Sequence, residues 1–121
     1  LDAPDIQFLF QTFSHDEYDE GLHSFSGFAN VVCPVRPESR GRLSLRSSDP
    51  NAAPLMQPNY LSAKADRTLL VEALKIARKV ATQPDIAAHI VEEYAPGRHA
   101  TSDADLLDYA RRTGLSIAHQ V

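Results

Sequence analysis

Tryptophan is absent from this 121-residue chain, cysteine occurs once, and the five glycines include no GxG pair. Each scarcity excludes something. A single Cys cannot form a disulfide within the chain. Gly21, Gly27, Gly41, Gly97 and Gly114 make no strand-to-helix cluster, so the chain by itself offers no phosphate cradle for a nucleotide. No apolar run approaches the roughly 20 residues that a membrane-spanning helix needs. Positive charge is also short, since 12 Lys and Arg against 16 Asp and Glu leave a formal net charge of −4. That balance argues against nucleic acid as a partner, because such affinity comes mainly from clustered cations neutralising phosphates. With 43% hydrophobic residues, the length suits one domain with its own core. A soluble, cytoplasmic protein is the expectation. The chain opens at Leu1 without a Met and stops at Val121 just after a semi-apolar segment, so it reads as a piece of a longer polypeptide whose targeting signal, if any, lay upstream.

Strand patterns come first. From Pro4 to Phe13, Ile6, Phe8 and Phe10 alternate with Gln7, Leu9 and Gln11, the period of two that buries one face of a strand. An acidic stretch over Ser14–Gly21 reads as a loop. A second strand over about Phe25–Val35 carries Phe28, Val31, Val32 and Val35 on both faces, which suggests a central place in a sheet. Pro34 cannot donate to a ladder, so pairing should stop or bulge there. Arg36-Pro37-Glu38-Ser39-Arg40-Gly41 is a turn with Pro early and Gly late. Beyond it, Leu43 and Leu45 alternate with Arg42, Ser44 and Arg46. The two segments flanking the turn are expected to pair antiparallel. Pro54 and Pro58 keep Ala53–Tyr60 extended.

Helical patterns follow. Over about Asp66–Thr82, Leu69, Leu70, Ala73, Leu74, Ile76, Ala77, Val80 and Ala81 recur at three- and four-residue spacings, which predicts an amphipathic helix. Lys75, Arg78 and Lys79 suit its C-terminal half, and Pro84 ends it. A short helix should run from Pro84 to about His89. Ser102 with Asp105 three residues on marks an N-cap, and Gly114 marks the exit of a last helix. After it, Leu115–Val121 reads as a short extended stretch. Strands first and helices later, without βαβ alternation, predict an α+β fold: an antiparallel sheet with helices packed on one face.

The residues alone carry little chemistry. His15, His23, His89, His99 and His119 show no metal-ligand spacing, so no metal is expected. Cys33 lies in an apolar strand, where a thiol is a small buried hydrophobe. Arg36, Arg40, Arg42 and Arg46 form a local basic cluster, read as a solvated hairpin end or as partners of the acidic loop.

The order of the motifs says more. Pro4-Asp5-Ile6-Gln7-Phe8 is followed by RPxSRGxxxLxSxDPxxxPxxxPNY over residues 36–60, then the long helix, then Ile117-Ala118-His119-Gln120-Val121. This succession, over nearly the whole chain, resembles the C-terminal substrate domain of the glucose-methanol-choline (GMC) oxidoreductases, nearest their choline dehydrogenase and alcohol dehydrogenase branch. The resemblance makes residues 1–121 a partial substrate-binding domain lacking its flavin-binding region and its C-terminal end. It implies FAD, held mainly by the missing region, and oxidation of a primary alcohol to an aldehyde by hydride transfer to the flavin. It makes His119 the catalytic histidine and places Ala118 beside the substrate, where relatives usually carry an aromatic residue. Leu9 stands where relatives have a His, and a second catalytic His or Asn belongs downstream. The isolated chain is expected to be inactive, and its uncovered sheet face to favour self-association. The alternative is a self-standing, non-catalytic binding module that uses its sheet face.

Overall fold

A computed structural model of the chain describes residues 3–16 and 21–116. It contains β1 (Ile6–Gln11), β2 (Ala29–Pro34), β3 (Arg42–Ser44), β4 (Leu55–Gln57), α1 (Lys64–Ala81), α2 (Pro84–Ala87) and α3 (Asp103–Thr113), in that order. The α+β class holds. Among the described residues the strands form two separate antiparallel pairs, β1 with β2 and β3 with β4, where the sequence pattern predicts one sheet.

The pairing departs from expectation at the Arg36–Gly41 turn. That turn was to fold β3 back on β2, but β3 pairs with β4, placing Leu43 opposite Met56. The cause is local. The backbone N–H groups of Glu38 and Ser39, which would continue a hairpin from β2, donate instead to the Asp66 carboxylate at the start of α1. The chain is thereby turned away from β2, and Gly41 settles so close to Gln57 and Pro58 that a Cβ there would lie 2.5 Å from the Gln57 carbonyl oxygen. Only glycine permits that approach.

β1 and β2 pair in the register Ile6 to Pro34 through Gln11 to Ala29. Pro34, the last residue of β2, does not stop the pairing: it lies opposite Ile6, and the Val35 N–H beyond it donates to the Asp5 carbonyl at 2.9 Å. Apolar groups on both faces of β2 led to the expectation of a central strand; every β2 residue is indeed half-buried, yet its one partner among the described residues is β1. The faces of β1 also differ from the alternation rule. Phe8 and Phe10 are the exposed side, while Gln7, Leu9 and Gln11 are half-buried. Phe10 is covered in part by Phe28, whose ring stacks on it at 5.0 Å between centroids.

α1 packs against β2 and α3. Its period of three and four brings Val71 and Leu74 to a small core completed by Ala100, Leu106 and Leu107. α2 is shorter than predicted, four residues from Pro84. α3 begins as the sequence indicates. The Ser102 hydroxyl accepts from the Asp105 N–H at 3.1 Å, and the Asp105 carboxylate accepts from the Ser102 N–H at 2.9 Å. Two of the helix's otherwise unsatisfied donors are thus reciprocally occupied. Gly114 closes α3.

Candidate functional site

The two residues that the family resemblance singles out, Ala118 and His119, lie outside the described residues, as does most of the predicted extended stretch 115–121. What the structure does describe is the frame that leads to them. α3 ends at Thr113, six residues before His119 in sequence, and α3 is held to α1 by the Leu106 core and by Lys75, whose Nζ lies 2.7 Å from both Glu72 Oε1 and Asp103 Oδ1.

Two anchors fix the ends of α1: Asp66, and Arg78, which the sequence suggests only as a cation suited to the helix's C-terminal half. At its N-terminal end, Asp66 is only 4% exposed. Its two carboxylate oxygens accept from the Glu38 and Ser39 N–H groups at 2.8 Å each, and the Ser39 hydroxyl accepts from the Ala63 N–H at 3.0 Å. Burial alone would push the Asp66 carboxyl up. The Ser39 side chain, the two backbone donors and the Arg40 charge outweigh it and hold the group below the ordinary aspartate value. The motif that carries the resemblance, RPxSRG, is therefore pinned to α1 by one buried carboxylate.

At the other end of α1, the Arg78 guanidinium uses all three nitrogens. Nε donates to Glu93 at 2.8 Å, one terminal nitrogen to the Ala100 carbonyl at 2.6 Å, and the other to the Gly97 carbonyl at 3.0 Å. The planar fork of arginine suits such a set better than a lysine could. This clamps residues 93–100, with their cis Ala95–Pro96 bond, onto α1 directly ahead of α3. A signal for both anchors was present in the sequence. Asp66 and Arg78 fall on the apolar stripe of α1, at helical spacing from Leu70 and Ala73 and from Val71 and Leu74 respectively, where a charge is retained only if it is paired.

A third cluster joins the β1–β2 connection to residue 94. The Ser14 hydroxyl lies 3.0 Å from His23 Nδ1. His23 Nε2 sits 3.2 Å from Asp16 Oδ2, close enough for an ion pair but not aligned as a hydrogen bond. The Tyr94 hydroxyl donates to the same oxygen at 3.3 Å. The His23 ring stacks on Phe25 and meets the edge of Tyr94. The Asp16 charge, with some desolvation and the hydrogen bond, pushes the Tyr94 hydroxyl up.

The basic cluster behaves as a hairpin end. Among the described residues none of Arg36, Arg40, Arg42 or Arg46 pairs with a carboxylate; Arg40 folds onto the Pro37 and Ser39 carbonyls and Arg46 onto Ala53. Cys33 is half-buried, and burial pushes its thiol up. The described residues include no group of three or more potential metal ligands, and none of their helices is long and apolar enough to cross a membrane. The close approaches that Gly41, Gly97 and Gly114 allow are made to this chain's own Gln57, His99 and Ala110, leaving none of them to cradle a phosphate.

The fold, the pinned RPxSRG turn and the capped α3 are the setting for the comparison with known proteins. Residues 37–121 match the GMC oxidoreductase family model, and the chain belongs to that family. Among its curated relatives, it is 32% identical over 120 residues to an alcohol dehydrogenase [acceptor] from Pseudomonas putida, covering 99% of this chain and 22% of the relative. It is 32% identical over 116 residues to an oxygen-dependent choline dehydrogenase from Acinetobacter baumannii strain AYE, covering 96% and 21%. A chloroplastic fatty acid photodecarboxylase from Chlamydomonas reinhardtii is 43% identical over 87 residues, covering 72% of this chain and 14% of that protein. The chain thus spans from about a seventh to about a fifth of the length of these relatives.

Proposed function

We propose that this segment is part of an FAD-dependent enzyme that oxidises a primary alcohol to an aldehyde, and that its contribution to catalysis is the base His119. In such a reaction hydride leaves the carbinol carbon for the flavin, which polypeptide outside these residues would hold. Hydride departs poorly while the oxygen keeps its proton. An imidazole within hydrogen-bond reach, with an intrinsic pKa near ~6.5, can take that proton at neutral pH. His119 serves as this base, and Ala118 beside it leaves space that an aromatic side chain would fill. The observation that carries the reading is the family match over residues 37–121, a range that includes His119. The dehydrogenase relatives support an alcohol as substrate.

The isolated chain lacks the other catalytic parts and is proposed to be inactive, with its bare sheet face prone to self-association. In the full-length protein, His119→Ala should lower kcat/KM for primary alcohols by about 100- to 10,000-fold with the flavin spectrum unchanged. Normal turnover in that variant would remove His119 from the mechanism. Ala118→Phe should shift preference toward smaller alcohols. A second reading rests on the photodecarboxylase, the relative with the highest identity of the three, whose name gives a fatty acid as substrate. Illumination of the full-length protein with a long-chain fatty acid decides it: release of carbon dioxide without alcohol turnover would replace the first reading.

A further inference from the structure

The β3–β4 hairpin presents the wrong side to water. Leu43, Leu45 and Met56 share one face by alternation and register, and they are 68%, 86% and 68% exposed. On the opposite face, which also carries Leu55 across from Ser44, Arg42 bonds to Gln57 and Arg46 to the Ala53 carbonyl, so its two arginines find partners within the hairpin itself. A strand with one buried face buries its apolar side. Here that side is bare, and among the described residues β3 and β4 pack chiefly on each other. A lone two-stranded hairpin is marginal in water.

The arm is nonetheless aimed. Its base is held by Asp66 on residues 38 and 39 and by the Asn59 amide donating to the Arg40 carbonyl at 3.1 Å. Just beyond, Asn59 and Leu61 both take a φ of +56°, a left-handed conformation that is unfavourable for a leucine. Arg67, donating to the Leu61 carbonyl at 2.8 Å, keeps it there.

We infer that the Leu43–Leu45–Met56 face is covered in the full-length protein by polypeptide of the same molecule outside this segment, through an apolar surface. The relatives supply the room for it, since some four-fifths of their length lies beyond the part matched here. The inference does not depend on alcohol chemistry, and its readouts are exchange and melting rather than turnover.

Hydrogen–deuterium exchange on the full-length protein tests it. Amides of residues 42–45 and 55–57 should exchange at least about 100-fold slower than in an unfolded chain, unchanged on 100-fold dilution of about 10 μM protein. Leu43→Ala and Met56→Ala should each lower Tm by about 2 °C or more, and Leu43→Ser by more. Rapid exchange with Tm unmoved by the alanine variants would overturn the inference. Protection that disappears on dilution would overturn it equally, by assigning the face to a second copy of the chain.

Discussion

Leu106 and Leu43 are the same side chain in opposite settings. Leu106, on α3, is 1% exposed and touches the α1 core; Leu43, on β3, is 68% exposed and has Met56 across the ladder. Both stand in well-formed amphipathic patterns, so pattern quality does not separate them. The helical region carries its own cover: α1 lies over α3, the capping box fills the first turn of α3, and Arg78 gathers the intervening loop. The hairpin has its turn, register and anchored base, and lacks the second layer. Periodicity states which face is to be buried, and only another element supplies the burial.

The largest effect should come from the closed side. Leu106→Ala removes a fully buried side chain from a core that has few large members, and such truncations cost about 2–5 kcal/mol. A thermal melt of the 121-residue chain by itself, in which Leu43 stays bare, should show a drop of roughly 8–20 °C. A change no larger than that of Leu43→Ala would erase the contrast between the two regions, showing that α1 and α3 are not a self-sufficient core.

Asp66 sharpens the comparison because it is the tie between the two regions. Asp66→Asn keeps the shape but replaces one acceptor oxygen with a donor that faces an N–H. One of the two backbone donors is left unsatisfied and the charge is lost, at a cost of about 1.5–3 kcal/mol. The native carboxyl titrates below its unfolded value near ~3.9. Its stabilisation is therefore complete above the unfolded pKa and is lost as pH falls through the folded pKa. Melts from pH 7 downward should show wild type and Asp66→Asn converging in acid and separated at neutral pH. A constant gap across that range would mean that the carboxylate charge has no part in the anchor.

Most of the helical region was legible in the sequence. The stripe of α1, the Ser102–Asp105 cap, Pro84 and Gly114 are local signals with local causes, and each bound falls within about two residues of expectation. What the sequence did not disclose is tertiary. Nothing within residues 36–46 says that the Glu38 and Ser39 N–H groups go to a carboxylate 27 or 28 residues later, and that bond decides that β3 leaves β2 for β4. The Ser14–His23–Tyr94 cluster is equally invisible, since its members are scattered over 80 residues. The motif order made the family legible, and the match over residues 37–121 bears it out. The exposed Phe8 and Phe10 are the clearest miss: alternation divided the two faces of β1 without saying which one the rest of the chain would cover.

The smallest effect is the most local. In Ser102→Ala the Asp105 N–H loses its acceptor, while the Asp105 carboxylate still accepts from the residue 102 N–H and, at 3.2 Å, from Thr101. Half the capping box survives, so the cost should sit near ~1 kcal/mol, the usual value for removing an N-cap hydroxyl. Ser102→Gly should cost less, because glycine at an N-cap is only a few tenths of a kcal/mol worse than serine. The ranking matters more than either number. If Ser102→Gly were as damaging as Leu106→Ala, α3 would owe its place to its first turn rather than to the face it buries, and the contrast drawn between a covered region and an uncovered one would rest on the wrong cause.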